Sequence, residues 1–166
     1  MTARRTPRNK GLTHVAPDGS ARMVDVSDKP PTRRTARAKG RIRMNTEAFE
    51  AIRSHAVAKG DVLSTARIAG IMAAKRTSDL VPLCHPLLLD DVRVDLTVDP
   101  DLPGVSAQSV VTTTGRTGVE MEAIVAVTVA LVTVYDMVKG LDRSMTVSDI
   151  SLVEKTGGQS DPYFAR

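Results

Sequence analysis

Residues 91–139 read DVRVDLTVDPDLPGVSAQSVVTTTGRTGVEMEAIVAVTVALVTVYDMVK. Val92, Val94, Leu96 and Val98 alternate with Arg93, Asp95, Thr97 and Asp99, the period of a half-buried strand over Asp91–Asp99. Pro100 to Gly104 forms a turn, and Val105 to Thr114 pairs back as a hairpin partner. Gly115-Arg116-Thr117-Gly118 is a loop. Val119 to Lys139 is a long helix with Gly140 as its C′ stop. Ile124, Val125, Val127, Val129, Leu131, Val132 and Val134 cover every side of it, so it is expected to be buried on more than one face. A sheet covers only one face. The remainder is expected to pack against another subunit, which makes the chain an oligomer.

Upstream, Val24 to Val26 reads as a short strand, followed by the turn-like Asp28-Lys29-Pro30-Pro31. Thr35 to Met44 reads as a basic strand. Asn45 offers an N-cap with Glu47 in the first turn of a helix running through Ala56. Lys59-Gly60-Asp61 breaks that helix, and Asp61 can cap the next. Val62 to Ser78 places Ile68, Ile71 and Met72 on one helical side, with Lys75 and Arg76 suited to the C-terminal dipole. Downstream, Met145 to Lys155 is a final strand, and Gly157-Gly158 opens a flexible end. The order is strand, helix pair, strand, strand, helix, strand. It matches the split βαββαβ unit, an α+β sandwich with helices covering an antiparallel sheet.

The chain has 166 residues, a length that favours one domain. Aromatic residues make up 2% and Trp is absent, so the core must come from Val, Ala, Leu, Ile and Met. That composition also argues against an aromatic platform for single-stranded nucleic acid. Cys84 is the only cysteine, which rules out an intrachain disulfide. The longest apolar stretch, Val119 to Val138, carries Glu120, Glu122 and Asp136 and is a poor bilayer segment. The N-terminus has no apolar run of a secretory signal, so a cytoplasmic location is expected. Residues 1–43 hold 12 Lys/Arg against 3 Asp, while residues 44–166 hold 11 against 16 Asp/Glu. A basic front on an acidic body suggests an anionic ligand or a solvated tail. Residues 1–10 lack apolar groups to bury and read as a disordered arm.

Four places combine reactive side chains with backbone punctuation. Lys59-Gly60-Asp61 is either a surface turn with an N-cap or a lysine held on a tight turn to meet an anion. Leu83-Cys84-His85-Pro86, with Pro82, is a proline-bracketed loop that fixes the backbone beneath His85. His titrates near neutral pH and suits acid–base work, although by itself the loop reads first as structural. A metal reading fails on count, since no CxxC or HxxxH pair exists. Gly115 to Glu122 resembles a phosphate cradle, because glycines precede a helix N-terminus. It lacks the GxxxxGK[ST] spacing, and Glu120 and Glu122 also suit the helix dipole. Asp136 and Lys139 stand at i and i+3 on one side of the apolar helix and can pair, structurally or functionally. Glu122 and Asp136 lie 14 positions apart, or about 21 Å along a helix at ~1.5 Å per residue. One small ligand cannot touch both from one copy, so a shared site needs two subunits.

Taken together, these segments resemble the cyclic pyranopterin monophosphate synthases of molybdenum-cofactor biosynthesis. The carrying stretches are Leu12-Thr13-His14, Met23 to Ser27, Lys59 to Val62, Ala66 to Ile71, Ala73 to Thr77, Asp79 to Pro86, Thr117 to Ala123, Tyr135-Asp136-Met137 and Lys139. They run in family order with matching spacing over about residues 11–160, leaving 161–166 as a flexible tail. The resemblance implies a ferredoxin-like subunit in a homohexamer, a trimer of dimers, with sites at subunit interfaces. It implies a lyase that converts 3′,8-cyclo-7,8-dihydro-GTP into cyclic pyranopterin monophosphate and pyrophosphate. It makes Asp136 the principal catalytic residue, with Lys59, Lys139, His85 and Glu120 beside it. Leu83, Cys84, His85, Met121, Glu122 and Lys155 become substrate contacts. Ser78 stands where the family has a large aromatic before Asp79, and Gln159 where a lysine often follows the paired glycines. No cofactor and no dedicated metal site are expected; a divalent ion such as Mg2+ could accompany the substrate triphosphate. The rival readings are a nucleic-acid-binding module built on residues 1–43 and an oligomer without turnover. The resemblance favours a small nucleotide substrate, no nucleic acid and no membrane.

Overall fold

The computed structural model describes residues 18–159 and 161–165. The arm read over residues 1–10 and the Leu12-Thr13-His14 motif lie outside the described residues. The elements in chain order are β1 (Thr32–Arg43), α1 (Thr46–Arg53), α2 (Val62–Ala74), α3 (Thr77–Leu80), β2 (Asp91–Asp99), β3 (Gly104–Gly115), α4 (Glu120–Val138), β4 (Thr146–Thr156) and β5 (Tyr163–Phe164). They form one antiparallel sheet, ordered β2-β3-β1-β4-β5, with helices packed on it. The alternation in β2 and β3 sets the register: Val92 faces Val111, Val94 faces Ser109 and Leu96 faces Ala107. Ala36, Ala38 and Ile42 of β1 bury on the same side. The opposite side presents Arg37, Lys39 and Arg41, with Glu154 and Asp149 pairing Arg37 and Arg41.

Several expected boundaries move, each for a local reason. Val24–Val26 is not a strand; Lys29 N–H donates to Val26 O at 3.1 Å and closes a turn there. The first helix stops at Arg53 rather than Ala56. His55 takes a left-handed φ of 58°, His55 N–H bonds Ile52 O, and Ala56 N–H bonds Ala51 O, the paired closure of a Schellman motif. The helix expected to reach Ser78 breaks after Ala74, where Thr77 Oγ1 donates to Ala74 O at 3.0 Å and α3 begins. Gly140 does not adopt a positive φ; α4 instead ends in tightened bonds from Leu141 and Asp142 N–H to Val138 O. Tyr163–Phe164, within the stretch read as a C-terminal tail, pair with Glu154 and Lys155 as an edge strand.

The buried side of α2 also differs from expectation. Val62, Ala66, Gly70, Ala73 and Ala74 face the core, while Ile68 and Met72 are exposed. Small residues win that face because α2 lies hard against α4. A Cβ built on Gly70 would stand 2.8 Å from the Ala126 carbonyl oxygen and 3.2 Å from the Ala130 Cβ. So α2, and not only the sheet, covers α4. Ala123, Ala126, Val127, Ala130, Leu131 and Val134 are fully buried, and what remains uncovered is narrower than the all-round apolar pattern suggests. Val125 and Val129 are half-buried, Val132 is exposed, and Asp136 continues the same stripe at i, i+4, i+7 and i+11. By length and composition α4 could cross a membrane, yet half of it is buried inside this fold.

Candidate active site

The two ends of α4 carry two separate groups of ionisable side chains. At its N-terminal end a cleft of about 390 Å³ opens between the proline loop, the 24–29 segment and the first turn of the helix. Leu83, Cys84, His85, Gly118, Glu120, Met121 and Glu122 line it. The loop is fixed from both ends. Val81 N–H bonds Thr77 O, Cys84 N–H bonds Val81 O, and Thr113 Oγ1 donates to Leu88 O at 2.6 Å. His85 therefore reaches the cleft on a backbone held by two prolines and the end of β3.

Glu122 is 4% exposed, and burial pushes its carboxyl up to about 7, with the nearby Glu120 charge adding to the rise. It can hold or release a proton near neutral pH. Glu120 behaves differently. Its carboxylate folds back against Gly118 and pairs with Lys155 Nζ at 2.5 Å. The glycine-flanked loop expected to cradle a phosphate thus receives a carboxylate of its own chain, neutralised by a lysine from β4. Burial, and then Glu122 and Glu120, push the Cys84 thiol up, which keeps it protonated and a poor nucleophile.

Lys59, Asp136 and Lys139 meet at the other end of α4. Lys139 Nζ lies 2.7 Å from Asp136 Oδ1. Lys59 Nζ donates to Asp136 O at 2.6 Å and stands 3.5 Å from Oδ2. The Lys139 hydrogen bond and charge, with the Lys59 charge, hold Asp136 below the usual carboxylate range, and the same bond raises Lys139. Local chemistry presents each member. Asp61 Oδ1 caps α2 by accepting from Ser64 N–H at 3.0 Å, and Gly60 turns the chain at φ 99°, a conformation that a side chain resists. The isolated Lys-Gly-Asp turn is therefore both a cap and the support for a lysine that reaches α4.

The sequence-derived candidates divide between the two groups. Leu83, Cys84, His85, Glu120, Met121, Glu122 and Lys155 gather at the N-terminal end of α4. Asp136, Lys59 and Lys139 gather at its C-terminal end, with about 21 Å of helix between Glu122 and Asp136 at ~1.5 Å per residue. Within one chain they do not form one site. Arg34 escaped the sequence reading. Its Nε donates to Gly115 O at 2.9 Å, tying β1 to the start of the 115–118 loop. The strand as read began at Thr35, whereas β1 starts at Thr32 and takes in Arg34. Among the described residues no three His, Cys, Asp or Glu side chains stand together as a metal cage.

An antiparallel sheet with helices on one side, carrying paired carboxylates and a lysine-flanked aspartate, defines an acid–base class of site suited to an anionic ligand. The MoaC family model matches residues 23–158, and the chain belongs to the MoaC family. It is 59% identical over 154 residues to the cyclic pyranopterin monophosphate synthase of Methylobacterium nodulans, covering 93% of this chain and 96% of that one. The protein of the same name from Heliobacterium modesticaldum is 59% identical over 152 residues, covering 92% and 96%. That from a Nostoc species is 54% identical over 159 residues, covering 95% of each.

Proposed function

We propose that this chain is a cyclic pyranopterin monophosphate synthase, a lyase of molybdenum-cofactor biosynthesis. It takes 3′,8-cyclo-7,8-dihydro-GTP to cyclic pyranopterin monophosphate and pyrophosphate. One observation supports the reading: acidic and basic side chains of the kinds such chemistry would use cluster at the two ends of α4. Opening the purine ring requires proton transfers, and Glu122 and His85 supply groups for them in the cleft. Closing the cyclic phosphate breaks the bond to the β-phosphate and expels pyrophosphate, so cations must meet the charge that develops. Lys59 and Lys139 fill that role. Asp136 is the principal catalytic residue in this reading. A phosphate drawing the two ammonium groups away would raise its affinity for a proton.

The two clusters form one site only when two copies supply its halves. The half-exposed stripe Val125, Val129, Val132 and Asp136 supports such a contact, because it sets a catalytic carboxylate on an uncovered apolar face. A homohexamer, a trimer of dimers, is the proposed assembly. The sheet order β2-β3-β1-β4, with both crossovers helical, supports a ferredoxin-like subunit, extended here by β5. The proposed domain spans residues 11–160, and the proposed location is cytoplasmic, with no membrane or nucleic-acid partner. The donor set favours a substrate triphosphate, with any Mg2+ arriving on it rather than held by a protein cage.

The decisive experiment incubates purified protein with the cyclised dihydro-GTP. Release of pyrophosphate together with a pterin that fluoresces after oxidation is the expected result. Neither product, alongside tight and salt-sensitive RNA or DNA binding, would overturn the reading.

A further inference from the structure

Among the described residues two carboxylates are buried, Glu122 in the cleft and Asp142 beyond the C-terminal end of α4, the latter 7% exposed. The chemistry proposed above uses Glu122 and leaves Asp142 without a task. Asp142 enters none of the ion pairs formed among the described residues. Uncharged donors satisfy it instead. Its Oδ2 accepts from Asn45 N–H at 2.7 Å, and its Oδ1 accepts from Ser144 N–H at 2.8 Å and Ser144 Oγ at 2.7 Å. These bonds, the Ser144 hydroxyl first and then Asn45 N–H, hold its carboxyl below the ordinary range.

Asn45 lies 97 positions away and is the N-cap of α1, its own Oδ1 accepting from Ala48 N–H at 2.8 Å. In a capping box the N–H of the capping residue is met by a Glu or Gln three positions on. That position is Ala48, which has no carboxylate, so Asp142 meets the Asn45 N–H from another element. Asn45 Nδ2 returns a bond to Leu141 O at 3.2 Å. The start of α1 and the exit of α4 are thus pinned together. Both lysines of the C-terminal cluster hang from this joint. Lys139 comes three residues before Asp142, and its turn closes with N–H bonds from Leu141 and Asp142 to Val138 O. Lys59 stands on the connection that leads from α1 into α2.

We propose that Asp142 is a positioning residue of the Lys59–Asp136–Lys139 cluster: by pinning α1 to the exit of α4 it keeps both ammonium groups on Asp136. The inference rests on the synthase reading of that cluster. Asp142 pairs with neither lysine and acts through the backbone that carries them. The charged groups that face Asp136 are Lys139 and Lys59, with Tyr135 and Arg143 beside Lys139. Loosening the joint lets the lysines drift. Asp136 then takes up a proton at higher pH, and Lys139 gives one up more readily.

The test compares Asp142→Asn with the unaltered full chain and with Leu96→Ala, a core truncation on β2 that lowers stability by another route. Asparagine has the same shape but one acceptor oxygen in place of two, so it cannot meet Asn45 and Ser144 together. In Asp142→Asn, kcat/KM for the cyclised dihydro-GTP should fall about 10-fold, and the acid limb of its pH profile should move to higher pH. Acetylation of Lys139, mapped by mass spectrometry with Lys75 as the internal reference, should become faster as the amine loses its carboxylate partner. Leu96→Ala should show neither change. Should Asp142→Asn fail to fold, Ser144→Ala removes only the hydroxyl bond to Oδ1 and should speed Lys139 acetylation in the same direction by less. A variant that melts early yet leaves the acid limb and Lys139 acetylation unmoved overturns the proposal. An unaltered protein without turnover strikes the synthase reading instead, and Lys139 acetylation then decides the role of Asp142 by itself.

Discussion

Lys59 and Asp136 are 77 positions apart in sequence, yet the Lys59 ammonium donates to the Asp136 backbone carbonyl at 2.6 Å and reaches its carboxylate at 3.5 Å. The contact ties the turn before α2 to the last turn of α4, where a lone carboxylate would oppose the helix dipole. Lys139 completes the group from one helical turn further on. Asp136→Asn and Lys139→Ala should each lower turnover by about 100-fold or more, as loss of a positioned proton-transfer or charge-stabilising group does. Circular dichroism and sizing should find both variants folded and assembled, since all three side chains are about half exposed. Near-normal rates for either would remove the cluster from the mechanism.

Sharing of a site between copies has its own signature. Glu122→Ala and Asp136→Ala should each be inactive alone. Mixed under conditions of proven subunit exchange, they should regain part of the activity, because some sites then combine an intact Glu122 end with an intact Asp136 end. No recovery after verified exchange would leave the two clusters as separate features.

Glu122 should make stability depend on pH with a definite sign. Its folded carboxyl is raised to about 7 from an ordinary value of 4.5. A raised carboxyl favours the protonated form in the folded state, so its contribution is fully present below about 4.5 and is lost as pH climbs through about 7. Asp136 and Asp142 are shifted the other way, and their contributions fade only under acid, as pH falls below the usual carboxylate range. Urea melts between pH 5 and 8 should therefore show Glu122→Gln gaining on the unaltered protein as pH rises. A flat difference across that range would contradict the buried, proton-sharing Glu122.

Gly70 tests the α2–α4 contact. Alanine is the better helix former by about 1 kcal/mol. Here its Cβ would meet the Ala126 carbonyl oxygen at 2.8 Å, and a helix backbone cannot step aside as a flexible side chain can. Overpacking of that kind costs about 1–3 kcal/mol, so Gly70→Ala should destabilise on balance. Chemical denaturation reads the sign directly, and a stabilised variant would mean the helices have room to part.

Much of the architecture was legible because period-two and helical patterns rarely compete in this chain. Asp91–Asp99 matched its strand at both ends, and α4 fell within a residue of its expected span. Misreadings gathered where small or polar groups decide. The Ile68–Met72 side of α2 looked like the core, but close helix packing preferred Ala66, Gly70 and Ala73. Val24–Val26 reads as a strand in the sequence, but its inner side faces a cleft, not a sheet. The site candidates were visible as motifs. Their division into two groups could be anticipated from helix length, whereas the Lys155–Glu120 pair and the Arg34 tie depend on strand register that no local pattern encodes.

The scarcity of aromatic rings gives the molecule an optical use. With no tryptophan and two tyrosines, its intrinsic emission is dominated by Tyr135 and Tyr163. Tyr135 precedes Asp136 and donates its hydroxyl to the Arg143 carbonyl at 3.1 Å, while Tyr163 sits on the outer rim of the sheet. Replacing Tyr163 with phenylalanine leaves a single tyrosine, beside the lysine–aspartate cluster. Ligand arrival at that end of the long helix could then be followed in real time without attaching a dye.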